Sequence, residues 1–308
     1  MKNMSAIYPG YNLYIKRDDC TGLASGGNKI RKLEYLVQDA IEKGYNTIIT
    51  AGSQQSNHCR QTAAACALSG IKCHLLLDGV KPENYNGNLL LSDLLGAEIH
   101  FTGGQIKAHD ITILEKELSS AGLNPYIIPY GGSNIIGVQG YIEAVRELKE
   151  QLDEADLKID YIFFASGSGG TQAGLTLGKI IYNLQTELMP IGVNKTVMTG
   201  LELDETVFEL VNQGISLFQI NEKVTLSECR INNEYCKGGY GVVTENEIKA
   251  IRILAEKEGI LLDPVYTGRA FHGMTDHLEM GVLRPGSNIL FWHTGGLPAN
   301  FYYADQLK

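Results

Sequence analysis

The sequence lacks the features typical of membrane proteins, secreted proteins and metal-binding proteins. No apolar run approaches the roughly 20 residues that a membrane-spanning helix needs. The six cysteines include no Cys-x-x-Cys pair and no accompanying His-x-x-x-His, which argues against a metal site or a disulfide framework. No apolar core of a signal peptide follows the opening Met-Lys-Asn-Met. We therefore expect a soluble, cytoplasmic, globular protein that binds neither a membrane nor a metal.

The sequence also has few basic residues and no long block of like charges. Its 26 lysines and arginines are outnumbered by 35 aspartates and glutamates, which gives a formal net charge of −9. This balance argues against a broad nucleic-acid-binding surface, and the dispersal of the charges argues against a disordered tail. The 308 residues are enough for two domains, and they contain no internal repeat.

Glycine is abundant, and the 35 glycines cluster where predicted strands give way to helices. Short apolar segments predict strands at residues 11–17, 47–52, 73–77, 98–101, 125–129, 161–165, 197–203, 223–226 and 288–292. Amphipathic segments predict helices at residues 29–43, 56–68, 88–95, 106–120, 136–152, from 171 onward, and 245–258. Strands that alternate with helices predict parallel sheets with right-handed crossovers. We expect a small domain, residues 38–140, inserted into a large domain formed by residues 1–37 and 141–308.

Two glycines followed closely by a lysine, at residues 26–29 (Gly-Gly-Asn-Lys), form the first candidate for chemistry. The glycines permit backbone angles that a Cβ forbids, and they let another group approach closely. Apolar side chains then recur at helical spacing, which places the Lys29 amine at a turn where a helix begins. Such a lysine can be a surface charge, a phosphate contact or a Schiff-base nucleophile.

A second glycine-rich turn, residues 166–170 (Ser-Gly-Ser-Gly-Gly), joins a predicted strand to a predicted helix. Free N–H groups at a helix N-terminus bind anions, and the helix dipole adds to the attraction. The dinucleotide motif fails because Gln172 occupies its last glycine position, and the Walker motif fails because Leu175 stands where lysine is required. The turn is therefore either a binding site for one phosphate group or a plain tight turn.

Residues 56–58 (Ser-Asn-His) begin another predicted helix directly after a strand. Ser56 suits a helix N-cap, and the same helix start can equally receive a substrate carboxylate. Tyr240 and Tyr266 stand in predicted loops, and Thr294 follows the last strand on the side where parallel sheets bind ligands. A lysine on a turn, a site for one phosphate and a carboxylate-binding helix start together indicate pyridoxal phosphate, with an amino acid as substrate.

Several motifs resemble those of the D-cysteine desulfhydrase/1-aminocyclopropane-1-carboxylate deaminase family, in the family's order and across nearly the whole chain. They are residues 16–19 (Lys-Arg-Asp-Asp), 26–35, 55–58 with 60–61, 166–174, 239–241 (Gly-Tyr-Gly), 262–268 and 293–296 (His-Thr-Gly-Gly). The resemblance implies an α/β enzyme of the tryptophan-synthase-β-like fold (fold type II): two open, twisted, mainly parallel sheets flanked by helices. It also implies a homodimer whose pyridoxal phosphate lies between two domains. Family members usually carry a longer segment ahead of the first motif.

The resemblance assigns several residues of this chain to the cofactor. Lys29 would hold the cofactor as a Schiff base and would act as the catalytic base. Asn57 would hydrogen-bond the phenolic oxygen, and Thr294 would be the partner of the pyridine nitrogen. The phosphate would be held by Ser168, Gly169, Gly170 and Thr171.

The resemblance also assigns residues to a small amino-acid substrate. Ser56 and His58, with Asn57 and nearby N–H groups, would face the substrate carboxylate. Tyr240, Tyr266 and Thr267 would line the same side, and one of the two tyrosines would protonate or position the leaving group. The candidate catalytic residues are therefore Lys29, Ser56, Tyr240 and Tyr266. The sequence does not rank these two tyrosines.

Two positions distinguish the branches of the family. Thr267 stands where the deaminase branch carries an acidic residue, and His58 stands where that branch carries glutamine. A hydroxyl stabilises a pyridinium less than a carboxylate does, so these residues favour β-elimination of D-cysteine to pyruvate, sulfide and ammonia. The alternatives are deamination of the cyclopropane substrate, elimination from another β-substituted amino acid such as cysteate, and a non-catalytic protein that binds a phosphate ligand.

Overall fold

The computed structural model describes residues 1–195 and 202–308, whose strands form two parallel four-stranded sheets. The strands are β1 (Asn12–Arg17), β2 (Thr47–Gly52), β3 (Lys72–Leu77), β4 (Glu98–Phe101), β5 (Pro125–Ile127), β6 (Tyr161–Ser166), β7 (Glu187–Gly192) and β8 (Asn288–His293). The first sheet has the order β1-β8-β6-β7, and the second has the order β4-β3-β2-β5.

Helices connect and flank these strands. They are α1 (Lys2–Ile7), α2 (Asn28–Glu42), α3 (Asn57–Ser69), α4 (Gly87–Leu94), α5 (Asp110–Ser120), α6 (Ile135–Glu154), α7 (Gly170–Ile181), α8 (Leu203–Leu217), α9 (Glu245–Glu258), α10 (Thr267–Glu279) and α11 (Ala299–Tyr302). None of the helices within the described ranges is both long and apolar enough to cross a membrane.

Both sheets are covered by helices on their two faces. Successive residues of a strand point to opposite faces, so Phe163 of β6 packs in a cluster with residues of α9 and α10, while Phe164 packs with residues of α6 and α7. In the second sheet Ile48 packs with α2 and α3, and Ile49 packs with α5. Strands buried on both faces are apolar throughout rather than alternating, which is why their sequences predicted parallel sheets.

The second sheet is continuous in sequence and the first is not. Strands β2 to β5 all lie within residues 47–127, whereas β1 precedes them and β6 to β8 follow. The expected domain boundaries, at residues 37/38 and 140/141, fall inside α2 and α6. These two helices therefore run between the parts of the chain that carry the two sheets.

Helix α6 holds α2 and α7 close together. A Cβ at Gly140 of α6 would overlap the backbone carbonyl of Arg31 in α2, so only glycine permits this approach. The side-chain amide of Asn28, the first residue of α2, donates to the Thr171 hydroxyl at the start of α7 (3.1 Å). The packing thus brings the two glycine-rich turns of the sequence to one place.

Several elements differ from the sequence predictions, and helices α1, α8 and α11 were not predicted. The strand predicted at residues 197–203 lies largely outside the described residues, and its end, Leu203, begins α8. The strand predicted at 223–226 is wrong, because that segment is irregular and leads into a short 3₁₀ turn, Leu226–Cys229. Strand β7 was missed because it contains Pro190, which sheets tolerate mainly at edges. Helix α10 was missed because its glycines, threonines and histidines are weak helix formers that tertiary packing overrides.

Candidate active site

A cleft of about 630 Å³, counting the part open to solvent, lies at the carboxyl ends of strands from both sheets. Open parallel sheets bind their ligands at this edge. Most of the residues predicted to bind cofactor or substrate line the cleft: Lys29, Ser56, Asn57, His58, Ser168, Gly169, Thr171, Tyr266 and Thr294. Gly170, Tyr240 and Thr267 do not line it directly.

Lys29 lies in the first turn of α2, and a strained turn sets its position. Residues 24–27 all have positive φ angles, and a Cβ at Gly26 would overlap the carbonyl of Asp19. The Lys29 amine donates to Asn28 Oδ1 (3.1 Å). Burial lowers the pKa of this amine to about 8, with Asp263 opposing the shift and the Arg60 charge adding to it. A much larger fraction of Lys29 is therefore neutral near pH 7 than of an ordinary lysine.

Arg60 on α3 holds the strained turn in place. Its guanidinium is fully buried and donates to the carbonyls of Ala24 and Gly26 and to Asn88 Oδ1 (2.9 Å). Burial lowers the pKa of Arg60 to about 10. The sequence motif included Arg60 without assigning it a role, and the structure shows that it supports the turn ahead of Lys29.

The second glycine-rich turn, residues 166–170, leads into the N-terminus of α7. Gly169 has a φ of 84° and caps the helix, and the Gly170 N–H donates to the Ser133 hydroxyl (3.2 Å). A Cβ at Gly170 would come within 2.9 Å of Lys32 Nζ, so a lysine amine lies beside this helix start. N–H groups, hydroxyls and an amine converging at a helix N-terminus are suited to a phosphate group.

Lys32 was not identified from the sequence. Its side chain is fully buried, and its amine donates to the Gly131 carbonyl (3.1 Å). Among the described residues no carboxylate pairs with this amine, and burial and the nearby Lys29 charge lower its pKa well below the usual value. A buried lysine without a counter-ion is costly unless an anion is bound beside it. Its position three residues after Lys29, on one helix face, was the available signal.

Asn57 presents amide hydrogens to the cleft. Its Oδ1 accepts a hydrogen bond from Asn88 Nδ2 (2.9 Å), and Asn88 is itself fixed by Arg60. Nδ2 of Asn57 makes no hydrogen bond among the described residues. The amide is therefore oriented with its donor free, as an oxyanion partner requires.

His58 is a neutral side chain whose proton lies on Nε2. The Thr50 hydroxyl donates to the Ile128 carbonyl (2.9 Å), so it can only accept from His58 Nε2 (2.9 Å). His58 Nδ1 is then a buried acceptor without a partner among the described residues. Burial, followed by the charges of Lys29 and Lys32, lowers the pKa of His58 well below its usual value. The imidazole therefore has no donor to offer a carboxylate, and only its backbone N–H at the helix start does.

Ser56 is the N-cap of α3, and its hydroxyl accepts from the Cys59 N–H (3.2 Å). The cap leaves the first N–H groups of α3 free on the cleft side, where they and the helix dipole favour a carboxylate. Both interpretations of residues 56–58 are therefore compatible with the structure.

Thr267 and Thr294 differ in what their hydroxyls contact. The Thr267 hydroxyl donates to Asp263 Oδ1 (2.7 Å) and accepts from the Asp263 N–H (2.8 Å). Its donor and an acceptor position are therefore both engaged by Asp263 and not by the cleft. Thr294 lines the cleft, and its hydroxyl makes no hydrogen bond among the described residues. The structure thus places Thr294, but not Thr267, where it can meet a ligand.

A cluster of tyrosines borders the cleft. Tyr266 lines it and hydrogen-bonds Tyr240 through the two hydroxyls (2.8 Å), and Tyr240 also contacts the Ser53 hydroxyl (3.3 Å). Tyr130, which the sequence analysis missed, lines the cleft beside them. Burial raises the pKa of all three phenols, so each carries its proton near neutral pH.

The residues present fit pyridoxal phosphate. The cleft offers a lysine amine of lowered pKa for the aldehyde and a helix N-terminus with a buried lysine for the phosphate. It also offers a free amide donor on Asn57 for the phenolic oxygen and a free hydroxyl on Thr294 for the ring nitrogen.

Comparison with known proteins agrees with this chemistry. Residues 2–295 match the sequence model of the pyridoxal-phosphate dependent enzyme family. The chain belongs to this family. It is 41% identical over 304 residues to D-cysteine desulfhydrases from two strains of Klebsiella pneumoniae, covering 97% of this chain and 90% of each relative.

Solved structures give the same result for the fold. The crystal structure of a 1-aminocyclopropane-1-carboxylate (ACC) deaminase homologue aligns with all of this chain and 91% of its own, with 38% identity and a TM-score of 0.89. A hydrogen sulfide-producing enzyme from Fusobacterium nucleatum, 18% identical with a TM-score of 0.66 over 93% of this chain and 91% of its own, shares the fold. The predicted family, fold and cofactor are confirmed, and the protein is a pyridoxal-phosphate-dependent enzyme. The roles of individual residues stay predictions.

Proposed function

We propose that the enzyme eliminates sulfide from D-cysteine and releases pyruvate and ammonia. The observation that carries this proposal is that no aspartate or glutamate is found among the described residues that line the cleft. A ring nitrogen beside Thr294 would have a hydroxyl partner and would stay unprotonated more readily than beside a carboxylate. That favours expulsion of a good leaving group such as thiolate. The 41% identity to D-cysteine desulfhydrases over nearly the whole chain supports the same choice.

Bound pyridoxal phosphate would serve as the electron sink for the carbanion formed at Cα. Lys29 would carry the cofactor until the substrate amine takes its place, and its freed Nζ would then remove the Cα proton. A pKa of about 8 suits an amine that must be neutral to accept this proton near pH 7. Lys32 and the α7 N-terminus would hold the phosphate, while Asn57 would donate to the phenolic oxygen.

The start of α3 would bind the substrate carboxylate. Ser56 and the free N–H groups of Asn57 and His58 point to one end of the cleft, where the helix dipole is positive. The charges of Lys29 and Lys32 act on His58, and its buried acceptor Nδ1 would accept a hydrogen bond from one of these two amines. This role differs from direct carboxylate binding by the imidazole.

Tyr266 would give its phenolic proton to the departing sulfur. Tyr266 lines the cleft, whereas Tyr240 does not line it and hydrogen-bonds the Tyr266 hydroxyl. Tyr240 would therefore orient Tyr266 rather than meet the substrate. Water then replaces nitrogen on the three-carbon product, so that D-cysteine and one water give pyruvate, hydrogen sulfide and ammonia.

A second candidate, opening of the cyclopropane substrate, is favoured by one observation. The ACC deaminase homologue is 38% identical to this chain over all of this chain and 91% of its own. Elimination from another β-substituted amino acid such as cysteate would use the same residues. A non-catalytic phosphate binder is set aside because the chain belongs to a family of enzymes.

The proposal is tested with purified holoenzyme and a substrate panel. D-cysteine, L-cysteine and D-cysteate are each assayed for pyruvate and for the released sulfur compound. We expect stoichiometric sulfide and pyruvate from D-cysteine and the lowest activity with L-cysteine. Release of sulfite from D-cysteate without sulfide from D-cysteine would contradict the proposed substrate while leaving the elimination chemistry intact.

We also propose that the enzyme is a cytoplasmic homodimer with a small domain of residues 38–140 between two parts of a large one. The resemblance of the motifs to the family supports the dimer, and the separation of the two sheets supports the domains. All six cysteines are free thiols, which supports a reducing compartment. Light scattering after size-exclusion chromatography should give twice the 33.7 kDa chain mass, and the monomer mass would refute the dimer.

A further inference from the structure

Three potential metal ligands meet on one face of the second sheet, in strands β3 and β4. In the parallel register His74 pairs with Glu98, and Leu76 pairs with His100. Paired residues and residues two apart along a strand share a face, so His74, Glu98 and His100 project from the same side. The ring of His74 is buried, whereas Glu98 is largely exposed.

The separations between the three groups are close to those between ligands of one metal ion. His74 Nδ1 and His100 Nε2 are 3.1 Å apart, and each lies 3.7 Å from an oxygen of Glu98. Ligand atoms that bind zinc at 2.0–2.1 Å with angles between 90° and 110° are about 2.8–3.4 Å apart. Small side-chain movements would therefore bring all three within bonding distance of one ion.

Hydrogen bonding alone accounts for only part of this arrangement. A proton shared between the two rings accounts for their 3.1 Å separation, and the rings stack at an interplanar angle of 25°. The Glu98 carboxylate is too far from either ring nitrogen for a good hydrogen bond, yet it faces both. Two imidazole nitrogens and a carboxylate at such distances are a donor set that suits first-row divalent metals.

We propose that His74, Glu98 and His100 form a binding site for one divalent first-row transition-metal ion, best represented by Zn²⁺. The buried ring fixes one ligand, and the exposed carboxylate leaves a path for the ion and a position for water. The site involves the first half of β3 and both halves of β4, and none of its three residues lines the cleft. The bound ion would stabilise the pairing of the edge strand β4 with β3 and would not take part in catalysis.

The test uses tag-free holoenzyme, Zn²⁺ titration calorimetry and the visible absorption of Co²⁺. We expect one ion per chain, at least about 10-fold weaker binding in His100→Ala and in Glu98→Gln, and no change in His109→Ala. His109 is the matched control because it is an exposed histidine of the same region. Zinc should also raise the melting temperature of the wild type and of His109→Ala but not that of His100→Ala.

Several outcomes would overturn the metal site. They are an absence of binding by the wild type at millimolar zinc, and equal binding by the wild type and His100→Ala. Loss of binding in Cys20→Ser with retention in His100→Ala would place the ion at the exposed thiol instead. Unchanged turnover and circular dichroism in His100→Ala would show that any lost binding does not reflect unfolding.

Discussion

The lining of the cleft has a charged part and a neutral part. The charged part comprises Lys29 and the N-terminus of α7, which present an amine and N–H groups to the cleft. The buried Lys32 does not line the cleft, but its amine lies beside the start of α7. The neutral part comprises Thr294, Tyr266 and Tyr130, which present hydroxyls, and no carboxylate accompanies them among the described lining residues. A positively charged site binds the cofactor phosphate in every reaction that this cofactor supports. The neutral groups instead influence which bond of the substrate is broken. The first part therefore identifies the cofactor, and the second part bears on the substrate.

The largest expected effect comes from the charged part. Lys29→Ala should lower kcat by at least about 10³-fold, because it removes both the covalent attachment and the base. Turnover of D-cysteine measures this, with Lys43→Ala on the exposed end of the same helix as the control. Near-wild-type turnover by Lys29→Ala would show that another group is the base.

Substitutions in the neutral part should have the next largest effects on kcat, and the two tyrosines should differ. Tyr266→Phe should lower kcat by about 100-fold, as expected for loss of a general acid. Tyr240→Phe should cost less, because Tyr240 does not line the cleft and its hydroxyl contacts those of Tyr266 and Ser53. Cofactor affinity should stay constant in both variants. If Tyr240→Phe costs more than Tyr266→Phe, the two roles are reversed.

Lys32→Met should weaken cofactor binding by about 10- to 100-fold, the usual value of a hydrogen bond to a charged group. The dissociation constant is measured by titrating cofactor-free protein with pyridoxal phosphate and following absorbance. The melting temperature of the cofactor-free variant should not fall, because a buried amine that lacks a counter-ion has been removed. Unchanged affinity would exclude Lys32 from the phosphate site.

The smallest expected effect is the pH dependence of cofactor uptake, which reflects the Lys29 amine of the charged part. Only the neutral amine of Lys29 attacks the cofactor aldehyde, and its pKa is lowered from 10.5 to about 8. The rate at which cofactor-free enzyme takes up pyridoxal phosphate should therefore rise with pH and level off above about 8. Stopped-flow absorbance gives this profile, and a midpoint near 10 would mean that the amine is not desolvated.

The sequence predicted the parts of the site that depend on local pattern. Lys29 and residues 168–171 could be placed because adjacent glycines directly before a helix favour a turn that a ligand can approach closely. Lys32 could not, since a lysine one turn further along a helix usually reaches solvent, and only the packing of α6 and α7 buries it. Local pattern therefore located the helix starts but not the side chains that tertiary packing encloses.

Side-chain direction and strand register could not be predicted from the sequence. Thr267 was expected to face the substrate, but its hydroxyl donates to Asp263 instead. No sequence pattern indicated this hydrogen bond. His74, Glu98 and His100 show no metal-ligand spacing, and it is the pairing of β3 with β4 that brings them together. The expectation of a protein without a metal relied on short motifs, which cannot detect ligands from neighbouring strands.

The central claim is that a neutral substrate-facing lining directs the enzyme to β-elimination of D-cysteine. The most direct test compares kcat/KM for sulfide release from D-cysteine with kcat/KM for 2-oxobutyrate release from 1-aminocyclopropane-1-carboxylate, on one preparation of holoenzyme. We predict that sulfide release is at least about 100-fold more efficient, a difference of some 2.7 kcal/mol in transition-state stabilisation. A ratio that favours the cyclopropane substrate would contradict the claim.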